Sequence, residues 1–441
     1  MFRPRIVLAP LEPVVLLLTL AASAYAQEPQ PPVGQDHSGH VQAQSAPVSP
    51  DRPAQPSPWM RMYDGVVFGT FNHQGGPRGG RELLSTNWVM AMAGRPAGAG
   101  QLQLTGMLSL DPWTASGRGY RLLFQAGESY KGEPIVDRQH PHDFLMQAAI
   151  AWRVPLSSAT ALTLSAAPVG EPALGPIAFM HRPSAAEQVS APLAHHTLDS
   201  SHIAMGVMTA GLELGRWMFE SSLFHGGEPD DNRWDLMDPG ALDSWSARAW
   251  YSPSPTWQLQ VSHAYLTAPE PLEPGDARRT TASIDWWRPR PDGFFAATVA
   301  YGRNDKADGR NQALLAEATS IRGRLSAFAR VETLQLETSV FLEHSEPSHV
   351  LAGQIADSSR RDVVSALTLG AVWNVAKWRG VEGGIGADAT FYAVAALLEP
   401  SYGSRPVSFH VYVRVRPPVP AMGRMWNMRM GRVQTSHQHR H

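Results

Sequence analysis

Apolar and polar residues alternate along most of the chain from Trp59 onward, with a period of two. Such a period places successive side chains on opposite faces of a β-strand. The clearest segment is 407–416, where one face suits lipid and the other suits water. Its odd positions are Val407, Phe409, Val411, Val413 and Val415, and its even positions are Ser408, His410, Tyr412, Arg414 and Arg416.

The same alternation recurs in segments 257–265, 324–332 and 381–391. Between such segments, short turn-like connections alternate with long ones, which is typical of outer-membrane barrels. The spacing predicts an all-β fold, a transmembrane antiparallel β-barrel of about 16 strands. That count requires Leu122 to Gly127 to belong to an inward-folded loop. The predicted short turns are 95–100, 155–159, 214–216, 253–256, 288–293, 321–324 and 376–380.

The N-terminal residues have the features of a signal peptide. Arg3 and Arg5 precede the apolar segment 14–22, and Ala24-Tyr25-Ala26 is a small-x-small cleavage site. We therefore expect residues 1–26 to be removed, residues 27–58 to form a disordered periplasmic leader, 59–417 to form the barrel, and 418–441 to be a flexible Met/His-rich tail.

No later segment is apolar enough for a membrane-spanning helix, so insertion requires strands that close into a barrel. The expected location is the outer membrane of a Gram-negative bacterium. The expected partners are outer-membrane lipid, lipopolysaccharide and the barrel-assembly machinery. Tryptophans near predicted strand ends favour this barrel over a soluble β-sandwich, because aromatic residues form girdles at both membrane interfaces. They are Trp88, Trp152, Trp217, Trp257 and Trp287.

Composition excludes several classes of site. The chain has no cysteine, which rules out disulfides, thiolate metal sites and a catalytic Cys. Removal of Arg3, Arg5 and Glu12 with the signal peptide takes the net charge from −2 to −3. This near-neutral balance argues against nucleic acid as a partner.

Six of the seventeen histidines lie between His140 and His202, in two long loops. Imidazole with nearby carboxylate is a common ligand set for copper or zinc. A metal site there would lose affinity below about pH 6, because ligand histidines must be neutral. The candidate ligands are His140, His142, Asp143, His181, His195, His196, Asp199 and His202.

A second interpretation of the first loop stays open. Its polar side chains are also suited to hydrogen-bonding an inward-folded plug to the barrel wall and to each other. The candidate plug residues are Glu128, Lys131, Glu133, Asp137 and Arg138.

The termini add metal-like composition. His37 and His40 lie in the leader, and the tail combines methionines, which suit Cu(I), with histidines, which suit Cu(II) and Zn(II). Biased composition in disordered tails is the alternative explanation. The tail residues are Met422, Met425, Met428, Met430, His437, His439 and His441.

Several motifs resemble a family of uncharacterised bacterial outer-membrane proteins, over about Met62 to Pro417. The resemblance implies the barrel fold, and no established activity comes with it. The leader segment Asp36-His37-Ser38-Gly39-His40 also resembles leaders of copper-resistance outer-membrane proteins. The family motifs are Leu123-Phe124-Gln125, Gly127-Glu128, Tyr130-Lys131-Gly132-Glu133-Pro134, Asp137-Arg138-Gln139-His140-Pro141-His142-Asp143, Gly170-Glu171-Pro172, Phe179-Met180-His181-Arg182-Pro183 and Arg278-Arg279-Thr280-Thr281.

These patterns favour a channel or porin-like transporter for a small solute or ion, and not an enzyme. One alternative is a copper- or zinc-binding protein of metal resistance. Another is an outer-membrane lipid hydrolase, for which Asp199, Ser200 and His202 supply residue types but no established geometry. The charges expected to face the lumen and set selectivity are Arg324, Arg330, Glu332, Glu382, Asp388, His410, Arg414 and Arg416.

Overall fold

The computed structural model describes residues 59–236, 240–270, 275–343 and 359–418. The predicted signal peptide, leader and most of the tail lie outside these residues. The strands are β1 Met60–Gln74, β2 Gly80–Ala97, β3 Gly100–Leu108, β4 Tyr120–Tyr130, β5 Glu133–Gln139, β6 Leu145–Pro155, β7 Thr160–Gly170, β8 Ala204–Leu214, β9 Trp217–Phe224, β10 Ser244–Ser254, β11 Trp257–Leu266, β12 Ala277–Arg290, β13 Gly293–Lys306, β14 Gly309–Arg322, β15 Leu325–Glu337, β16 Arg361–Trp378, β17 Val381–Ala393 and β18 Val407–Arg416.

Sixteen of the described strands form one closed antiparallel barrel, in which β1 pairs with both β2 and β18. Strands β4 and β5 pair only with each other and are not part of the wall. They contain Leu122 to Gly127, which follows β3 and precedes the next wall strand, β6. The predicted fold class is therefore confirmed, including the strand number and the inward-folded loop.

One end of the barrel has only short connections among the described strands, and the long connections lie at the other end, where β1–β2 and β13–β14 are also joined by short ones. Each of the seven predicted turns joins two consecutive wall strands at the same end of the barrel. Gly215 and Gly323 occupy two of these turns with φ of +61° and +56°, a conformation that favours glycine. Most of the opposite end, called here the long-loop end, consists of long segments such as 109–144, 171–203 and 225–243.

The two faces of the wall differ as the alternation predicts. On β18, Val411 and Val413 are 48 % and 53 % exposed on the outer face, whereas Arg414 is fully buried on the inner face. Trp152, Trp217 and Trp257 are exposed, as expected for a girdle. The predictions for Trp88 and Trp287 are wrong. Trp88 is buried and lies edge-on to His181, 4.9 Å away between ring centroids, and Trp287 packs against the buried cluster of Ile177, Met218 and Trp250.

Helices are short in the described part of the chain, and none of them is both long and apolar enough to cross a membrane. They lie in the connections at the long-loop end. The α-helices are α1 Asp111–Thr114, α2 His195–Leu198, α3 Thr338–Glu343 and α4 Glu399–Tyr402, and the 3-10 helices are Phe179–His181, Pro183–Ala185 and Ser200–His202.

The barrel interior contains a packed core. Leu123 and Phe124 of β4 and Leu198 of α2 are buried in one apolar cluster with the wall residues Leu315 and Val364. The hairpin β4–β5 and segment 171–203 therefore pack against the wall and against each other. This arrangement gives the inward-folded segments a fixed position.

Candidate functional site

Five histidines converge where the two inward-folded segments meet. His140 and His142 directly follow β5, while His195, His196 and His202 come from α2 and the 3-10 helix after it. The ring centroids of neighbouring histidines lie 5.2–5.8 Å apart, in the sequence His142, His202, His195, His140, His196. His195 and His196 also lie 5.3 Å apart. The convergence of the two loops, on which the metal hypothesis depends, is thus present in the structure.

Four of these histidines are held through Nδ1. The Nδ1 atoms of His142 and His195 lie 2.8 Å from carboxylate oxygens of Asp111 and Asp199. Nδ1 of His202 lies 2.8 Å from the backbone oxygen of Asp199, and Nδ1 of His140 lies 3.1 Å from Oε1 of Glu128. Metal-binding histidines commonly donate one ring N–H to such an acceptor, which fixes the ring and its tautomer.

The opposite nitrogen is buried on all four rings. The Nε2 atoms of His140, His142, His195 and His202 have no hydrogen-bond partner in the described structure. A buried polar atom without a partner is uncommon in proteins and is often explained by an ion or a water molecule. With Nδ1 donating, each Nε2 carries a lone pair, which is the atom that binds a metal.

Burial also sets the charge of these rings. It lowers the pKa of His140 and of His202 well below the ordinary 6.5, and neighbouring histidines add to this effect. Burial lowers the pKa of His195 as well, although its hydrogen bond to Asp199 opposes the shift. The rings of His140, His195 and His202 are therefore neutral at pH 7, as ligands must be.

His196 is the last histidine of the row, and its environment differs from that of the other four. Its Nδ1 lies 3.6 Å from Oε1 of Glu228 and 3.8 Å from Oε1 of Glu270. Burial alone would lower the pKa of His196, but these carboxylates and Glu128 outweigh it and raise the pKa. A side chain on Gly127 would overlap the His196 ring, so the hairpin needs a glycine here to pack so closely.

Segment 225–243 closes over the hairpin. The buried Arg233 pairs with Glu128 and, at 3.1 Å, with Asp143. Trp234 stacks on Phe144 with ring centroids 5.7 Å apart. Asp143, one of the predicted ligands, is thus engaged by an arginine next to the histidines.

The other predicted site residues do not belong to the row of histidines. His181 lies against Trp88 on β2. Asp137 binds Arg78 at 2.6 Å, and Arg138 donates to the backbone oxygen of Gly119 at 2.6 Å, as a plug requires. Lys131 and Glu133 are exposed at the tip of the hairpin.

The charges on the wall do not line an open lumen. Arg324 is exposed in the β14–β15 turn, so its predicted lumen position is wrong. Arg414 and Arg416 are buried and both pair with Glu187 of the inward-folded segment. The other predicted lumen residues are also buried on the inner face: Arg330, Glu332, Glu382, Asp388 and His410.

Further wall contacts fix segment 171–203 in the lumen. Arg330 donates to the backbone oxygen of Ser190 at 3.1 Å, and Glu332 accepts from the backbone N–H of Ala194 at 3.1 Å. Arg182 of the segment binds Glu317 on β14 at 2.5 Å. The expected selectivity residues therefore attach the inward-folded segment to the wall.

Asp199, Ser200 and His202, the residues of the hydrolase hypothesis, do not form a catalytic triad. Ser200 Oγ accepts a hydrogen bond from Arg279 at 2.9 Å, and Nδ1 of His202 bonds to the backbone of Asp199 and not to its carboxylate. That carboxylate is engaged by His195 and Arg182 instead. This arrangement differs from a Ser-His-Asp triad.

Sequence reasoning missed Asp111, Glu228, Glu270 and Arg233. Glu228 and Glu270 each precede a proline in a long connection, as do Glu133 and Glu171. This repeated Glu-Pro pair was the available signal. It does not reveal which connections meet.

No family model matches the sequence, and no curated protein matches it either. The fold is similar to solved structures that include an anion-selective porin from Comamonas acidovorans, with 10 % identity, a TM-score of 0.47, and coverage of 81 % of this chain and 100 % of that one. OprB of Pseudomonas putida has 10 % identity, a TM-score of 0.49, and coverage of 81 % and 94 %.

The outer membrane channel DcaP of Acinetobacter baumannii has 9 % identity, a TM-score of 0.44, and coverage of 81 % and 97 %. Identities and TM-scores this low carry no argument about solute or activity. The functional conclusion therefore depends on the site itself.

Proposed function

We propose that this protein is a Gram-negative outer-membrane barrel that binds a divalent transition-metal ion, zinc or copper, among the buried histidines of its plugged lumen. The apolar outer face and the closed sixteen-strand wall support the location. Imidazole is the ligand class that zinc and copper share.

One observation carries the metal assignment. Four clustered imidazoles are each anchored through Nδ1, while each Nε2 is buried without a partner. Each buried nitrogen left unsatisfied costs about 1–3 kcal/mol, so four of them in one group favour a bound species at this place. Metal coordination at Nε2 would remove that cost and explain the acceptors at Nδ1, and it requires the rings to draw together, since no three of their ligand atoms lie within 4.8 Å of one another among the described residues.

A channel is the second candidate function, and the ionic contacts of the plug favour it. Glu187 joins the inward-folded segment to Arg414 and Arg416 on the wall. Displacement of this segment would expose arginines to a polar lumen and favour anions. In the state described here the segment occupies the lumen, so we place metal binding first.

The test is a zinc titration of the full-length protein in detergent, followed by calorimetry and by Trp fluorescence. Zinc does not favour the thioethers of the tail. All proteins carry Gln at His37, His40, His437, His439 and His441, which removes terminal imidazoles. The test variant is His142→Gln with His202→Gln, since amide groups keep some of the hydrogen bonding.

The matched control is His410→Gln. His410 is also buried in the lumen and paired with a carboxylate, Asp388 at 2.7 Å, but it lies outside the row of five histidines. We expect at least stoichiometric zinc for the parent and the control, and a loss of affinity of tenfold or more in the double variant. Weak binding of equal strength in all three proteins would reject the metal site.

A further inference from the structure

A second group of ligands lies at the outer end of the histidine row. His196, Glu228 and Glu270 each offer a ligand atom, and these atoms all lie within 4.8 Å of one another. They come from three different connections, 171–203, 225–243 and 267–276, all at the long-loop end. We call this group the outer triad, and we call His140, His142, His195 and His202 the inner histidines.

The two groups differ in access. The side chains of the outer triad are 11–14 % exposed, whereas those of His140, His142 and His195 are 0–9 % exposed. The outer triad is therefore the more accessible of the two groups to an ion that arrives at the long-loop end.

The carboxylate pair supplies a second, independent observation. Oε2 of Glu228 is buried and has no hydrogen-bond partner in the described structure. The charge of Arg279 on the wall interacts with Glu228 and Glu270, but this side chain donates its hydrogen bonds to Asn304 at 3.0 Å and to Ser200 at 2.9 Å. Two adjacent carboxylates with a buried unpaired oxygen favour a bound cation.

The outer triad and the inner histidines are in contact. The ring of His196 lies 5.4 Å from that of His140 and 5.3 Å from that of His195. An ion bound by His196 is thus one imidazole away from the inner histidines.

We propose that His196, Glu228 and Glu270 form a separate outer site that captures a divalent cation and passes it to the inner histidines. The inference rests on the proposed metal-binding function and adds a second site and a direction of loading. Two carboxylates and one imidazole suit Zn²⁺ or Mn²⁺ and select against soft Cu(I), once the ion has displaced the proton that these carboxylates favour on His196. Their negative charge attracts a dication to the long-loop end.

The experiment compares three variants of the full-length protein in the background without terminal histidines. Glu228→Gln with Glu270→Gln removes the outer charge at nearly constant volume. His142→Gln with His202→Gln removes inner ligands that are not members of the outer triad. Glu399→Gln is the matched control, because this glutamate is exposed in α4. Calorimetry counts zinc sites, and stopped-flow Trp fluorescence gives the loading rate.

We expect two sites in the parent and in Glu399→Gln. The double Glu variant should retain one site with inner affinity within about threefold, but load at least tenfold more slowly. The double His variant should retain only the weaker outer site. Heat-dependent gel mobility verifies folding, and Glu228→Gln alone serves if the double Glu variant does not assemble.

Three outcomes separate the claims. In the first, the parent has one zinc site, the His variant loses it, and the Glu changes alter neither the number of sites nor the loading rate. This result overturns the outer site and leaves the proposed function intact. In the second, the parent has one zinc site and only the Glu variant loses it. This result supports the outer triad and rejects the inner histidines. No zinc bound by the parent overturns both.

Discussion

Asp199 accepts a hydrogen bond at 2.8 Å from His195, four residues earlier in the same inward-folded segment. The same carboxylate binds Arg182 at 3.0 Å, and Arg182 binds Glu317 on the wall. His195 is thereby connected through two ion pairs to β14. The orientation of a candidate ligand thus depends on the barrel itself.

Asp199→Asn should weaken zinc binding by about 10–100-fold, the usual effect of losing a carboxylate behind a ligand histidine. The proposed ligand nitrogens all remain, so the loss comes from orientation and basicity. Asp388→Asn is the control, because it removes the carboxylate behind His410, outside the histidine row. Calorimetric affinities that fall equally in both variants would show that Asp199 has no specific role.

Zinc binding should persist at pH 6 and be lost only at lower pH. Ordinary histidine ligands would lose zinc affinity from about pH 6 downward. Burial lowers the pKa of His140 and of His202 well below 6.5. Protons compete with the metal only as the pH approaches the pKa of a ligand, so a lowered pKa moves the loss to lower pH. The measurement is zinc affinity from pH 7.5 to 4.5. Half-loss above pH 6.5 would contradict the neutral, buried state of these rings.

Glu187→Gln should loosen the plug. Burial would raise the pKa of Glu187, but Arg416 and Arg414 outweigh it and lower the pKa, so the carboxylate is ionised at neutral pH. Without this charge the buried Arg414 and Arg416 have fewer carboxylate partners, which should lower the free energy of unfolding by about 3–5 kcal/mol. We expect a lower denaturant midpoint and higher conductance in planar bilayers, with a preference for anions.

Glu399→Gln should leave both measurements unchanged, since this side chain is exposed. In a Glu187→Gln channel, Arg330→Glu with Arg414→Glu should then shift the reversal potential toward cations. If Glu187→Gln neither destabilises the protein nor changes its conductance, the ion pairs with Arg414 and Arg416 do not hold the plug.

Val411→Arg should impair assembly by about 2–4 kcal/mol, because it places a charge on the apolar outer face at mid-strand. Ala99→Arg, in an exposed turn, should be tolerated. Ser408 is not a suitable control, although a charge there would suit a water-filled lumen, because it is buried and donates to Gln74 at 2.9 Å. Folding yields from urea into lipid vesicles measure the difference, and equal yields for Val411→Arg and Ala99→Arg would contradict the orientation of β18.

The wall could be predicted because its signal is local. The two faces of β18 follow from alternation within ten residues, and the seven turns follow from their residue types. Trp88 was misassigned because proximity to a predicted strand end does not determine the face. Arg324 was misassigned because the alternation was extended one residue into a turn.

The site could be predicted only in part. Six histidines in two loops indicated a cluster, but the contact between His140 and His195 depends on how distant segments fold inward. Glu228 and Glu270 join the group from two further connections, and neither has a distinctive sequence spacing. Ion pairs such as Glu187 with Arg414 join residues more than two hundred positions apart, which no local pattern reveals.

X-ray absorption at the zinc K edge distinguishes imidazole ligands from oxygen ligands around a bound zinc ion. The sample is full-length protein without terminal histidines, loaded with zinc and freed of excess metal. We expect retained stoichiometric zinc with nitrogen ligands at about 2.0–2.1 Å and the outer-shell scattering of several imidazoles. Zinc that is lost on desalting, or that is surrounded only by oxygen without imidazole scattering, would contradict binding among the buried histidines.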